Sequence, residues 1–214
     1  VLLAFDTSSA AVTAAVHNGG SVVAERTTVD PLRHGELLAP AIAAVLADAD
    51  VSVADIGRIA VGVGPGPFTG LRVGLVTARV MGSVLGVPVV GVCSLDVIAG
   101  AVTVGEPFLV ATDARRREVY WAQYAAGVRR VSGPAVGTPA SVAESVPNLA
   151  DLPVAGRGAV VYAEEFPRGV PPEYPSAADL ARLVVDQRVE LFAPEPLYLR
   201  RPDVGSPRPS KRVL

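Results

Sequence analysis

Few side chains in this sequence can ionise, ligate or attack in a way that supports catalysis. Asp6, Glu36 and Asp113 are the acids a two-metal nuclease would need, because paired cations on such carboxylates clamp both oxygens of an in-line displacement. Each acid also has a plainer reading. Asp6 and Asp113 end apolar runs and can bond the N–H groups of their own turns. Glu36 falls in the first turn of a helix, where an acid complements the dipole. One cysteine, Cys93, and two histidines, His17 and His34, cannot assemble a thiolate or multi-histidine metal site. Cys93 lies in an apolar run and reads as an inert core residue. His34 reads as a helix-start or interface residue. No Gly-x-Ser-x-Gly occurs, so a nucleophile elbow has no support.

The densest signal is Gly62-Val63-Gly64-Pro65-Gly66-Pro67-Phe68-Thr69-Gly70-Leu71-Arg72-Val73-Gly74. It follows an apolar run and opens a helix, where N–H groups and the helix dipole attract anions. It lacks the Gly-Lys-Ser/Thr of a P-loop and the third glycine of a dinucleotide fingerprint. Pro65 and Pro67 remove two N–H donors. Two readings stand: an anion-binding loop, or a rigid turn that sets the angle of the helix.

The elements that must hold these groups follow from periodicity. Runs 1–5, 11–17 and 21–29 read as an antiparallel meander, with Asn18-Gly19-Gly20 as a hairpin turn. Segment 36–48 carries Leu37, Leu38, Ala41, Ile42, Val45 and Leu46 as one helical stripe. A strand over 58–63, the loop 64–70, a helix over 72–85, a strand over 87–92 and a helix over 95–102 follow. Gly74, Ala78 and Gly82 lie four apart on one face of the second helix and permit close backbone approach. The order β-β-β-α-β-α-β-α is that of a ribonuclease-H-like unit, compact under the right-handed crossover rule. Beyond it, 108–112 and 118–124 read as strands, and 140–146 and 177–188 as helices. The rest is broken by proline: 14 of the 19 prolines follow Glu106. No fixed-period repeat is visible. The chain therefore divides into an N-terminal unit, 1–106, a reduced C-terminal copy, 107–201, and a basic, proline-rich tail, 202–214.

Composition bounds the rest. The chain has 214 residues, half of them hydrophobic, with 19 Lys+Arg against 21 Asp+Glu for a net charge of −2. Such a chain buries a core and is not intrinsically disordered. Near-neutral charge argues against a surface that wraps nucleic acid wholesale. A single cysteine fits a reducing compartment, and the expected location is cytoplasmic. The longest uncharged stretch, 80–95, contains Gly82, Gly86 and Pro88 and is too short to cross a bilayer. No basic stretch leads the apolar start, so no signal peptide or membrane association is expected.

The stretch from Gly64 to Arg72 resembles the Gly-Pro-Gly-Ser-Phe-Thr-Gly-Leu-Arg signature of the TsaB (YeaZ) family, with Pro67 where the family usually has serine. Leu3-Ala4-Phe5-Asp6-Thr7-Ser8, His34-Gly35-Glu36-Leu37-Leu38-Ala39-Pro40, Asp113-Ala114-Arg115 with Glu118-Val119-Tyr120, and Pro196-Leu197-Tyr198-Leu199-Arg200 resemble further family blocks in the expected order. The resemblance implies an α/β, actin-like fold of two subdomains, the second one reduced. It implies a scaffold subunit for making threonylcarbamoyladenosine in tRNA, beside the anticodon of tRNAs that read codons starting with A. The implied partners are a TsaD-like transferase paralogue, a TsaE-like P-loop ATPase and tRNA through the complex, with a homodimer when the chain is alone. The complex would use ATP-derived threonylcarbamoyl-adenylate, and a metal is expected in the partner, with no cofactor in this chain.

Several residues fit that non-catalytic reading. Asp6-Thr7-Ser8 lacks the Asp-x-Gly of active superfamily members, Asp113-Ala114-Arg115 lacks a second glycine-rich loop, and His34 is followed by Leu38 rather than a second histidine. The expected partner interface is His34, Leu38 and Ile42 on the first helix with Leu75, Val76, Arg79 and Gly82 on the second. The family motif, or anion loop, comprises Asp6, Thr7, Ser8, Gly64, Gly66, Phe68, Thr69, Gly70, Arg72, Asp113 and Arg115. The enzyme-class rival is a small ATP-dependent kinase or hydrolase of the same superfamily. A third reading is a self-associating structural protein. The tail offers Arg200, Arg201, Arg208, Lys211 and Arg212 against Asp203, either as a solvated segment or as a contact for tRNA phosphates.

Overall fold

A computed structural model describes residues 1–126 and 128–200. The tail expected over 202–214 lies outside the described residues.

Strands β1 (Leu2–Asp6), β2 (Ala11–His17) and β3 (Val22–Val29) form the meander, and β4 (Arg58–Gly64) and β5 (Val89–Cys93) extend it in parallel, in the order β3-β2-β1-β4-β5. Helices α1 (His34–Asp48), α2 (Phe68–Leu85) and α3 (Ser94–Ala101) connect or follow them. The Asn18 turn forms as its residues dictate: Asn18 Oδ1 accepts from Gly20 N and Ser21 N at 2.9 Å, and Gly19 takes φ +101°.

Strand alternation explains the unbroken apolar runs. Leu3, Phe5, Val12, Ala14, Ile59 and Val61 face α1 and α2. Leu2, Ala4, Ala15 and Ala60 face the opposite side, against Val97 and the late helix α6 (Ala177–Val185). With both faces covered, every position of β1 and β2 is buried. α6 is pinned there by Ala177 N, which donates to Thr13 Oγ1 at 3.0 Å, and by Ser176 Oγ, which donates to Glu25 Oε1 at 2.8 Å.

The second half repeats the first. Strands β6 (Phe108–Asp113), β7 (Val119–Tyr124) and β8 (Arg130–Gly137) form a meander, and β9 (Val154–Ala155) and β10 (Gly169–Val170) add in parallel, giving the order β8-β7-β6-β9-β10. Helices α4 (Pro139–Ser145), α5 (Arg157–Val161) and α6 occupy the positions of α1, α2 and α3. The copy is reduced in length, with two-residue strands, but no strand or helix of the pattern is missing.

Besides α6, further contacts join the units. Tyr124 Oη donates to Asp96 Oδ1 at 2.7 Å, and Arg130 approaches the same carboxylate at 3.1 Å, so a buried acid at the start of α3 holds β7 and β8. Phe192 exchanges backbone bonds of 2.8 and 2.9 Å with Gly91, and Leu197 N donates to Val63 O at 2.9 Å. The last described residues thus run along β5 and β4 before reaching the second unit. Burial pushes the Cys93 thiol up to about 12, consistent with an inert core residue.

Candidate functional site

The sequence blocks meet at one cleft, between the C-terminal ends of β1 and β4 and the β6–β7 hairpin. Asp6 is fully buried at the end of β1. Its Oδ1 accepts from Ser8 N and its Oδ2 from Ser94 Oγ, both at 2.6 Å, while Ser94 Oγ accepts from Gly64 N at 3.2 Å. Burial raises the Asp6 carboxyl above the ordinary carboxylate range, against the lowering effect of the bonds from Ser8 and Ser94. Thr7 Oγ1 donates to Gly70 O at 2.7 Å and accepts from Gly74 N at 3.0 Å.

The glycine spacing now has a cause. A Cβ on Gly62 would sit 1.8 Å from Asp6 Oδ2, on Gly66 2.0 Å from Ser8 O, on Gly70 2.7 Å from Thr7 O, and on Gly74 2.5 Å from Thr7 Oγ1. Four glycines, each four residues apart, all lie against the Asp6-Thr7-Ser8 turn. Gly64 takes φ +89°, which a side chain would resist. Of the two readings of this loop, the rigid turn describes the geometry: the loop is packed on the first strand's turn and bonded to it.

The helix begins four residues earlier than expected. α2 starts at Phe68 with Pro67 as its N-cap, so Thr69, Gly70 and Arg72 are helical. Proline without an N–H is tolerated there because the first helical N–H groups have no intrahelical partner. Phe68 stacks on Tyr198 with centroids 4.7 Å apart; the Arg72 guanidinium lies 3.7 Å from the Phe68 centroid, and its Nε donates to Tyr198 Oη at 3.0 Å. His34 opens α1, and its Nε2 donates to Ser9 O at 2.6 Å.

The opposite wall comes from the second unit. Asp113 Oδ1 accepts from Arg115 N at 2.9 Å, the turn bond expected of a strand-ending aspartate. Arg115, Arg116 and Arg117 are exposed, with φ of 62°, 55° and 61°. Arg200 donates to Ala114 O at 3.1 Å and pairs with Glu118, so the last described residue holds this hairpin. Arg157 pairs with Glu173 at 2.7 Å nearby. Three cavities of about 290, 370 and 440 Å³ open along the cleft, and Pro67 and Arg115 line all three. Pro67, the departure from the family serine, therefore stands opposite Arg115. Among the described residues, no group of three or more His, Cys, Asp or Glu is placed to hold a metal ion.

The expected partner interface needs correction. Leu38, Ile42 and Leu75 are core residues between α1, α2 and the first sheet. His34 is buried by its Ser9 contact. Gly82 is buried as well, because a Cβ there would lie 2.2 Å from Val89 Cγ2. The Gly74-Ala78-Gly82 face is the side of α2 that lies on the sheet. Val76 and Arg79 are exposed, and the outward face continues through Val80 and Val84, which sequence reasoning missed; the three valines are 58%, 56% and 79% exposed. With Arg79 and Ser83 they line a shallow cavity of about 450 Å³. Their i, i+4, i+8 spacing was visible, but locating the face required knowing which side the glycines occupy. Ala39, Ala43 and Ala47 of α1 are exposed too. α2 is long and apolar enough to cross a membrane by length and composition, yet its inner face belongs to the core of the first sheet.

Comparison with known proteins agrees with this arrangement. The family model described as TsaD, tRNA N6-adenosine threonylcarbamoyltransferase, matches residues 22–174. An uncharacterized protein of Mycobacterium leprae is 49% identical over 210 residues, 95% of this chain and 55% of that protein. The tRNA threonylcarbamoyladenosine biosynthesis protein TsaB of Escherichia coli is 36% identical over 130 residues, 58% of this chain and 54% of its own length. The chain thus spans about half the length of these two relatives. YeaZ from Pseudomonas aeruginosa superposes with a TM-score of 0.78 at 31% identity, covering 92% of this chain and 99% of that one. With its two units, its interlocked turn and loop, and this near-complete overlap, the chain belongs to the TsaB (YeaZ) family.

Proposed function

We propose that this chain is a non-catalytic subunit of the machinery that makes threonylcarbamoyladenosine in tRNA, and that it acts by pairing with a TsaD-type transferase. The carrying observation is the interlocked turn: Asp6, Thr7, Ser8 and Ser94 spend their bonds on one another and on the glycine loop, so the strand-end acid is not available to substrate or metal. In this reading the chain carries no cofactor. Threonylcarbamoyl-adenylate and metal belong to the partner, a TsaE-type P-loop ATPase joins the complex, and the site of action is the cytoplasm.

The pairing surface is the outward face of α2 with the alanine side of α1. Fully burying one exposed valine is worth about 1.5–3 kcal/mol, so Val76, Val80 and Val84 form the apolar centre of the contact. Without the transferase, the same face pairs two copies of this chain. A charge at Gly82 would test folding, whereas a charge at Val80 tests pairing.

The test is co-purification with a TsaD-type protein, together with rescue of tRNA modification in a bacterium depleted of its own TsaB. V80E/V84E should abolish both while leaving thermal unfolding unchanged. Retained co-purification sinks this surface. ATP turnover by the isolated chain, as a kinase or hydrolase would show, sinks the non-catalytic role.

A further inference from the structure

The cavity of about 440 Å³ at the cleft's outer end combines two lining chemistries. Tyr120 and Tyr198 supply rings, and Arg115 and Arg116 supply guanidinium groups. Tyr198 stacks on Phe68 yet stays 38% exposed, so part of the ring remains uncovered at the cavity. Its volume falls in the range of small-ligand sites.

The backbone gives an independent indication. Arg115, Arg116 and Arg117 all occupy the left-handed region, which glycine or asparagine adopts at lower cost. Outliers of this kind persist where the surroundings enforce them, and they cluster at binding sites. Of these, Arg115 and Arg116 line the cavity.

We infer that this cavity takes an unpaired nucleotide of an RNA strand, its base against the exposed Tyr198 ring and its phosphate on Arg115. Base–aromatic stacking and guanidinium–phosphate contact are the two elements of single-strand recognition, and both are present within one cavity. Arg115 lines all three cavities of the cleft, which favours a strand running along the cleft over a free nucleotide. The identity of the RNA as tRNA rests on the function proposed above; the cavity itself does not.

The test is fluorescence anisotropy with a labelled anticodon stem-loop RNA on the purified chain, across several salt concentrations. R115E should weaken binding about tenfold or more and make the slope of log K against log salt shallower by about 0.7–1. R115N, which suits the left-handed backbone, should weaken binding in the same direction. Y198A should cost about tenfold. R129E/R188E, at a separate polar cavity beside Asp96, should leave binding unchanged. Equal loss in that control, unchanged binding in R115E and R115N, or no RNA binding by the parent would overturn the assignment. Saturable AMP binding without RNA binding would overturn it as well. Co-purification of R115E with the transferase separates the two proposals: pairing kept with RNA binding lost supports both.

Discussion

The two units share one topology and use the equivalent turn in opposite ways. In the first, the acid after the first strand is sealed: Asp6 is fully buried, bonded to Ser8 and Ser94, and covered by glycines that let the next loop close over it. In the second, Asp113 is half-buried and Arg115 beside it reaches the cleft. A glycine turn also closes on the first strand there, since a Cβ on Gly156 would lie 2.3 Å from Ala111 O. It stops short of the aspartate. A duplicated framework has therefore kept one turn as an internal joint and left the other at the surface. Any ligand chemistry in the cleft falls to the second unit's side.

Substitutions can break or sharpen that contrast. The largest effect is expected at Gly66. Its Cβ would meet the backbone oxygen of Ser8 at 2.0 Å, so G66A should cost about 3 kcal/mol or prevent folding, read by urea unfolding. A parent-like midpoint would mean the joint is not rigid. Next, D6A should cost about 2 kcal/mol by orphaning Ser8 N and the Ser94 hydroxyl, whereas D113A should cost about 0.5–1 kcal/mol for one exposed turn bond. Equal losses would erase the difference between the turns.

A smaller effect concerns pH. Burial raises the Asp6 carboxyl above 3.8, so between that value and its folded pKa the native state holds the proton more tightly than the unfolded chain. Its contribution to stability is fullest at low pH and is lost as pH rises through the folded pKa. D6N, which keeps the acceptor for Ser8 N, should remove that part of the slope in urea midpoints taken from about pH 4 to about pH 7. Identical slopes in D6N and parent would mean that Asp6 titrates normally. The smallest effect is Y198F, which removes an exposed bond to Arg72 but keeps the ring on Phe68; a loss of about 0.5 kcal/mol or less is expected.

Most of the first unit was legible because its elements obey simple periods. The paired apolar positions of α1 and the Asn-Gly-Gly turn each point to one conformation. The start of α2 was not, because Pro67 and two glycines read as loop while N-cap chemistry accepts proline. β8 escaped because Gly133 and Pro134 interrupt it; on an edge strand a proline costs no ladder bond. β9 and β10, with two residues each, carry no period at all. The site residues were found as motifs, but their role was not, since glycines at 62, 66, 70 and 74 look the same whether they admit a phosphate or a neighbouring strand.

The return of the chain to the first sheet bears on how it is made. A ribosome that has released residues 1–106 has synthesised all five strands of that sheet but not α6, which covers Leu2, Ala4, Ala15 and Ala60, nor the stretch at 192–197 that lies along β5 and β4. The nascent first half therefore waits with an apolar face uncovered while the second is translated, the interval in which such a chain is most exposed to aggregation or chaperone capture.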